Sequence, residues 1–142
     1  MDILTNLLLW LHFIGIGLAV GGGIALSRIG PKLIAAPASG RTELWGFETF
    51  FSRLGATGIV ILVITGPLML WLKFGGAAGL GPWFSAKMIF VAVAVVAVGL
   101  HEWAGARFRR GDEGAVWLMF TGGRLAGAAI LLAMLSAVFA FH

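Results

Sequence analysis

TNLLLWLHFIGIGLAVGGGIALS, residues 5–27, runs for 23 residues without a charged side chain. A helix needs about 20 mostly apolar residues to cross the hydrocarbon core of a bilayer. Three further stretches meet that length, at about 54–73, 84–104 and 115–140, so the reading is an all-α, integral membrane four-helix bundle, a single transmembrane domain spanning residues 1–142. The first stretch reads as a retained span and not a cleaved leader. Only Met1-Asp2 precedes Ile3, with no Lys or Arg before Leu4, and no A-x-A site precedes a mature domain.

Composition agrees with lipid as the solvent. Apolar residues make up 60% of the 142, and ten basic and six acidic residues amount to 11%. A soluble domain usually carries about 25% charge. A secreted enzyme, a disordered tail and a nucleic-acid module are excluded on this ground, the last also because the basic residues form no readout element. The chain has neither cysteine nor tyrosine. Disulfides, thiolate metal sites, covalent haem attachment and phenol-based proton transfer are therefore excluded.

Basic residues orient the spans. Arg28, Lys32, Arg41 and Arg53 fall between the first and second, and Arg107, Arg109 and Arg110 between the third and fourth. The positive-inside rule assigns both segments to the cytoplasm and both termini to the outer side. Trp71 and Trp83 flank the outer connection and Trp103 and Trp117 the second inner one, as an aromatic belt does. The expected location is the bacterial inner membrane, multi-pass, with residues 28–53 as a long cytoplasmic loop. Within it, Thr42–Phe51 is either an interfacial helix capped by Thr42 or an extension of span two. Pro82 suits the first turn of span three.

Against an apolar background His12, His101, Lys87 and Arg124 stand out. An ionisable group inside a span costs roughly 2.5–3.5 kcal/mol on insertion scales and usually faces a partner, a cavity or a ligand. His12 shares a face with Gly15, Ala19, Gly22 and Gly23, and a groove of small residues beneath a histidine admits a flat macrocycle. The alternative is that the small residues, with Gly17-x-x-x-Gly21 and Gly123-x-x-x-Gly127, only let helices approach. His101 shares a stripe with Ala97, Ala94, Phe90 and Lys87. Lys87 also lies close enough to the boundary to snorkel, and Glu102 beside His101 is placed to pair with Arg107. Arg124, about ten residues into span four among glycines, needs acceptors such as a carboxylate. Pro67 kinks span two and frees carbonyls.

Two intramembrane histidines without cysteine suggest non-covalent haem b, with His12 and His101 as metal ligands. At 1.5 Å rise per residue they lie at depths of roughly 10 and 25 Å, so either a helix is tilted or displaced or each histidine serves a different ligand. A His/Met pair and a five-coordinate iron stay open, but methionine is more often filler and the histidines are the expected ligands. Copper, which His and Met also ligate, lacks a visible ligand cluster. No Ser/His/Asp set or H-E-x-x-H motif supports hydrolysis.

Trp83, Lys87 and His101, spaced as W-x-x-x-K and a histidine fourteen residues later, resemble the HemJ family. The W-L-H start around His12 and the S-R-L-x-x-x-G entry to span two resemble it too. The related CopD-like membrane domains, linked to copper handling, share the four-helix plan. HemJ proteins bind haem b and are implicated in oxidising protoporphyrinogen IX to protoporphyrin IX. The resemblance implies His12 and His101 as haem ligand candidates, with Lys87 and Trp83 near the porphyrin site. The small residues on the two histidine faces, Gly15, Ala19, Ala94 and Ala97, are the expected cofactor contacts. Lys87 or Arg124 would hold substrate carboxylates in catalysis, and electrons would pass to a membrane acceptor such as quinone. The alternatives are a non-catalytic electron carrier or haem sensor, and a CopD-like copper or small-molecule transporter. With so little interior, a homodimer is expected to shelter the cofactor.

Overall fold

The computed structural model describes residues 3–76 and 81–140. They form four helices: α1 (Ile3–Ala35), α2 (Ala38–Phe74), α3 (Pro82–Arg109) and α4 (Ala115–Ala140). Each is long and apolar enough to cross a membrane. The chain is thus an all-α, multi-pass membrane protein, as the hydropathy pattern predicts. Exposed Trp10, Phe13, Ile64, Ile89, Val96 and Leu131 cover the outward faces, where lipid takes the place of water.

The expected loop at 28–53 does not exist. α1 continues through Pro31 to Ala35, and α2 starts at Ala38 after a two-residue link, Ala36-Pro37. Thr42 is therefore not a cap; Pro37 occupies that place, and Thr42–Phe51 extends span two. Charges interrupt the apolar run here without interrupting the helix. At 1.5 Å per residue α1 is about 50 Å long, well beyond the roughly 30 Å hydrocarbon core. The overhang is stabilised by its own apolar cluster. Leu33, Ala104, Ala115 and Met119 are buried there, with Leu44, Trp45, Phe108 and Phe120 packed around them.

The other end is punctuated as the sequence suggests. Gly75 and Gly76 have positive φ, and their N–H groups close on the carbonyls of Trp71 and Leu70, a glycine stop for α2. Pro82 opens α3. Part of the glycine-rich connection between α2 and α3 lies outside the described residues.

The helices pair as two hairpins, α1 with α2 and α3 with α4. Small residues set the approach inside each. A side chain at Gly58 would put its first carbon 2.5 Å from the Ala19 nitrogen and 2.6 Å from the Gly15 oxygen. In the second hairpin the same atom at Gly122 would lie 3.0 Å from the Ala97 oxygen. The stripe Gly15, Ala19, Gly22 is thus occupied by α2 and not by a macrocycle, and Ala97 is sealed against α4. Gly17 and Gly21 face open space, so that spacing packs nothing within the protomer. The hairpins meet mainly through α1 and α4, including Gly30 against the Phe120 ring, while α2 and α3 touch sparingly. That thin seam positions the site.

Candidate functional site: a lateral cavity and a buried polar pair

Two polar features lie along the α2–α3 seam at opposite ends. Towards the chain termini, which we call the distal end, the seam opens into a cavity of about 170 Å³. Its walls include Leu62, Gly66, Phe84, Met88, Ala94 and Ala133, with His12 and Lys87 as the polar groups. Pro67 has no N–H to give to the Val63 carbonyl four residues earlier, and both residues line the cavity. Val63, Met88 and Val95 are exposed on the outside, so the cavity opens sideways between α2 and α3 towards lipid.

His12 is half-buried in this wall, and its tautomer follows from its neighbours. The Thr65 hydroxyl donates to the Ile61 carbonyl at 2.7 Å, and a carbonyl can only accept. Thr65 has one hydroxyl hydrogen, so at 2.8 Å from His12 Nδ1 its oxygen is the acceptor. The His12 proton therefore sits on Nδ1, and Nε2 carries a lone pair. An imidazole held this way is set to ligate a metal or accept a hydrogen bond, because the second-shell partner fixes which nitrogen is free.

Towards the basic end the seam is closed by buried polar groups. His101 is 6% exposed and Glu48 3%. His101 Nδ1 donates to the Met119 carbonyl at 2.8 Å, and Nε2 stands 3.3 Å from Glu48 Oε1. That approach is close but off-line: Nε2 is buried and makes no aligned hydrogen bond. With Nδ1 committed as a donor, a proton on either Nε2 or the Glu48 carboxyl would make this contact favourable. One turn along α2, Ser52 donates to the Glu102 carboxylate. Glu102 therefore bonds to α2 and not to Arg107, which pairs with Asp112 at 2.6 Å on the surface.

The residues picked out from the sequence thus separate. The partners of the two histidines, Thr65 and Glu48, are 17 positions apart on α2 (65 − 48). That is about 25 Å along the helix, and one iron cannot take both rings. His12, Lys87 and Ala94 share the distal cavity. Gly15, Ala19 and Ala97 serve helix packing. Trp83 is exposed outside the cavity, its ring 5.0 Å from Phe139, and the adjacent Phe84 lines the cavity instead. Arg124 is exposed on α4 and lines neither cavity along the seam, while its neighbour Gly123 lies against the His101 ring.

Sequence reading missed Glu48, Ser52 and Thr65. Glu48 and Ser52 fall in a charge-bearing segment that reads as loop, and Thr65 is inconspicuous in an apolar run. A helical reading of 42–53 would have set Trp45, Glu48 and Ser52 on one stripe, an acid facing inward. Among the described residues no group of three His, Cys, Asp or Glu side chains forms a metal cluster. No protein-family model, no curated protein and no solved structure matches this chain.

Proposed function

We propose that this protein binds a haem b or related tetrapyrrole in the distal cavity and has a redox role in the bacterial inner membrane. Where it acts as an enzyme, HemJ-like oxidation of protoporphyrinogen IX, with quinone as electron acceptor, is the reaction. The observation that carries the reading is the Ile61–Thr65–His12 chain, which leaves an imidazole lone pair at an apolar, laterally open cavity. Lys87 in the same wall supplies a cation for a propionate or substrate carboxylate.

The fit is partial and specific. An engineered cavity of about 150 Å³ holds a benzene ring. The 170 Å³ of the cavity therefore takes one edge of a tetrapyrrole, and the remainder would lie in the open seam among Val63, Met88 and Val95. Among the described residues His12 is the one imidazole lining the cavity, so iron would be held by His12 alone or by His12 with a thioether from Met88 or Met134, which also line it. Bound haem would supply one-electron redox chemistry. The chain's own contribution is to ligate through His12 Nε2, hold a carboxylate with Lys87 and keep water out with apolar walls. A lipophilic substrate enters from the bilayer through the seam, and a homodimer that covers the seam would shelter the exposed edge.

Haemin titration of the purified protein in nanodiscs tests this. The expected outcome is a saturable Soret shift with sharp reduced bands, lost in His12→Ala and retained in His101→Ala. Equal binding by His12→Ala, or no spectral change in the unaltered protein, overturns the reading. Saturable copper binding by a protein that gives no Soret shift with haemin would turn it towards the CopD-like alternative.

A further inference from the structure

Beside His101 lies a second, smaller cavity of about 40 Å³. Its walls are mostly Ala, Gly and branched aliphatic residues, and His101 and Ser52 are their polar members. A polar cavity needs about 10–15 Å³ of this kind of volume per water and two or more partners to hold it. This one is large enough for about two or three waters. The buried Nε2 that lacks an aligned hydrogen bond belongs to the same ring.

The two cavities share a wall. Ile59 and Ile130 line both, one from α2 and one from α4. The larger cavity then reaches Leu70 and Phe84, within two turns of the distal ends of α2 and α3. The polar groups of the basic end, half-buried Glu102 with Ser52 and the Glu48–His101 pair, therefore meet the small cavity side by side at Ser52 and His101. The two isoleucines separate that cavity from the His12 cavity.

We propose that the small cavity is a water site through which the Glu48–His101 pair relays one proton between the basic end and the floor of the His12 cavity. When a proton arrives on Glu102 the Ser52 hydroxyl turns from donor to acceptor, so that Glu102 gives its proton to the Ser52 oxygen as Ser52 gives its own to the cavity water. That water hands a proton to the imidazole–carboxylate pair, which returns one to the water chain on the isoleucine side. Only O–H and N–H bonds form and break, and no electron moves. Ile59 and Ile130 interrupt the water, so the relay stops at a dry step until a side chain swings aside. The site does not depend on which ligand the distal cavity takes.

Proteoliposomes loaded with a pH dye, given a potassium diffusion potential and no ligand, test the proposal. Ile59→Ala should admit protons at least tenfold faster than the unaltered protein, and adding Glu48→Gln or Ser52→Ala should return the rate to its starting level. Circular dichroism confirms that each variant is helical, and Ser52→Ala, which leaves the ion pair in place, carries the test where Glu48→Gln does not fold. No acceleration by Ile59→Ala overturns the relay. So does acceleration that survives both additions. The unaltered protein gives an independent reading through water-edited 15N NMR of labelled histidine. Contact between water and the His101 ring is expected, and a dry ring overturns the proposal. Because no haem is present, failure here and failure of the haem titration are separate results.

Discussion

The two halves of the α2–α3 seam use histidine in opposite ways. At the basic end His101 is enclosed, with both ring nitrogens facing acceptors, Met119 O and Glu48 Oε1. At the distal end His12 spends one nitrogen on Thr65, and its ring lines an open apolar cavity. The first histidine ties α2 to α3 and α4, and the second is available to a ligand. Residue type and membrane setting are the same, so the neighbours decide. A carbonyl bonds one ring whose other nitrogen lies against a carboxylate, and a hydroxyl already committed elsewhere fixes the tautomer of the other ring.

The largest expected effect comes from breaking the closed end. Glu48→Ala removes one partner of a buried pair and leaves the other without compensation, which costs about 3–5 kcal/mol. Denaturant unfolding in micelles should show that loss, and the double variant Glu48→Met/His101→Leu should recover most of it. A small loss in the single variant would mean the seam is held elsewhere. Next in size is Gly58→Val, which drives a side chain into the α1 backbone at Gly15 and Ala19. Overpacking of this kind costs about 1–3 kcal/mol. The same change at Gly17, which meets nothing within 4 Å, should leave the unfolding midpoint unmoved, and a matching loss there would reveal a partner on that face.

At the open end, Thr65→Val keeps the shape but removes the acceptor that fixes the His12 tautomer. Loss of such a second-shell partner typically weakens metal affinity by about 10–100-fold. Haemin affinity should fall in that range with stability little changed, whereas an unaltered affinity would detach His12 from ligation. The smallest effect belongs to the surface pair. Asp112→Asn opens a half-exposed contact with Arg107 and should shift stability by no more than about 1 kcal/mol, and less at high salt.

Much of the fold is legible in the chain because a bilayer imposes length and polarity directly. Four apolar runs give four spans, Pro82 opens the third helix and Gly75 closes the second. The same rule misleads at 28–53. Hydropathy reports where lipid ends, not where a helix ends, and the overhanging helices persist because Leu33, Trp45 and Met119 pack beyond the hydrocarbon zone. The small-residue stripes were visible as well. Their use was not, since a groove of Gly15 and Ala19 looks the same whether a porphyrin or the backbone of α2 fills it.

The sequence by itself determined the solvent, the number of spans and the short set of polar residues that lipid does not explain. It also showed that His12 and His101 lie at different depths, because helical rise converts position into distance. Tertiary structure decided which partner each polar group meets. Glu48 reaches His101 across 53 positions of chain, and Thr65 reaches His12 across another 53. Pairings of that range depend on how the hairpins rotate and pack. Local pattern carries no record of that rotation, and so the open site and the closed one are told apart only in three dimensions.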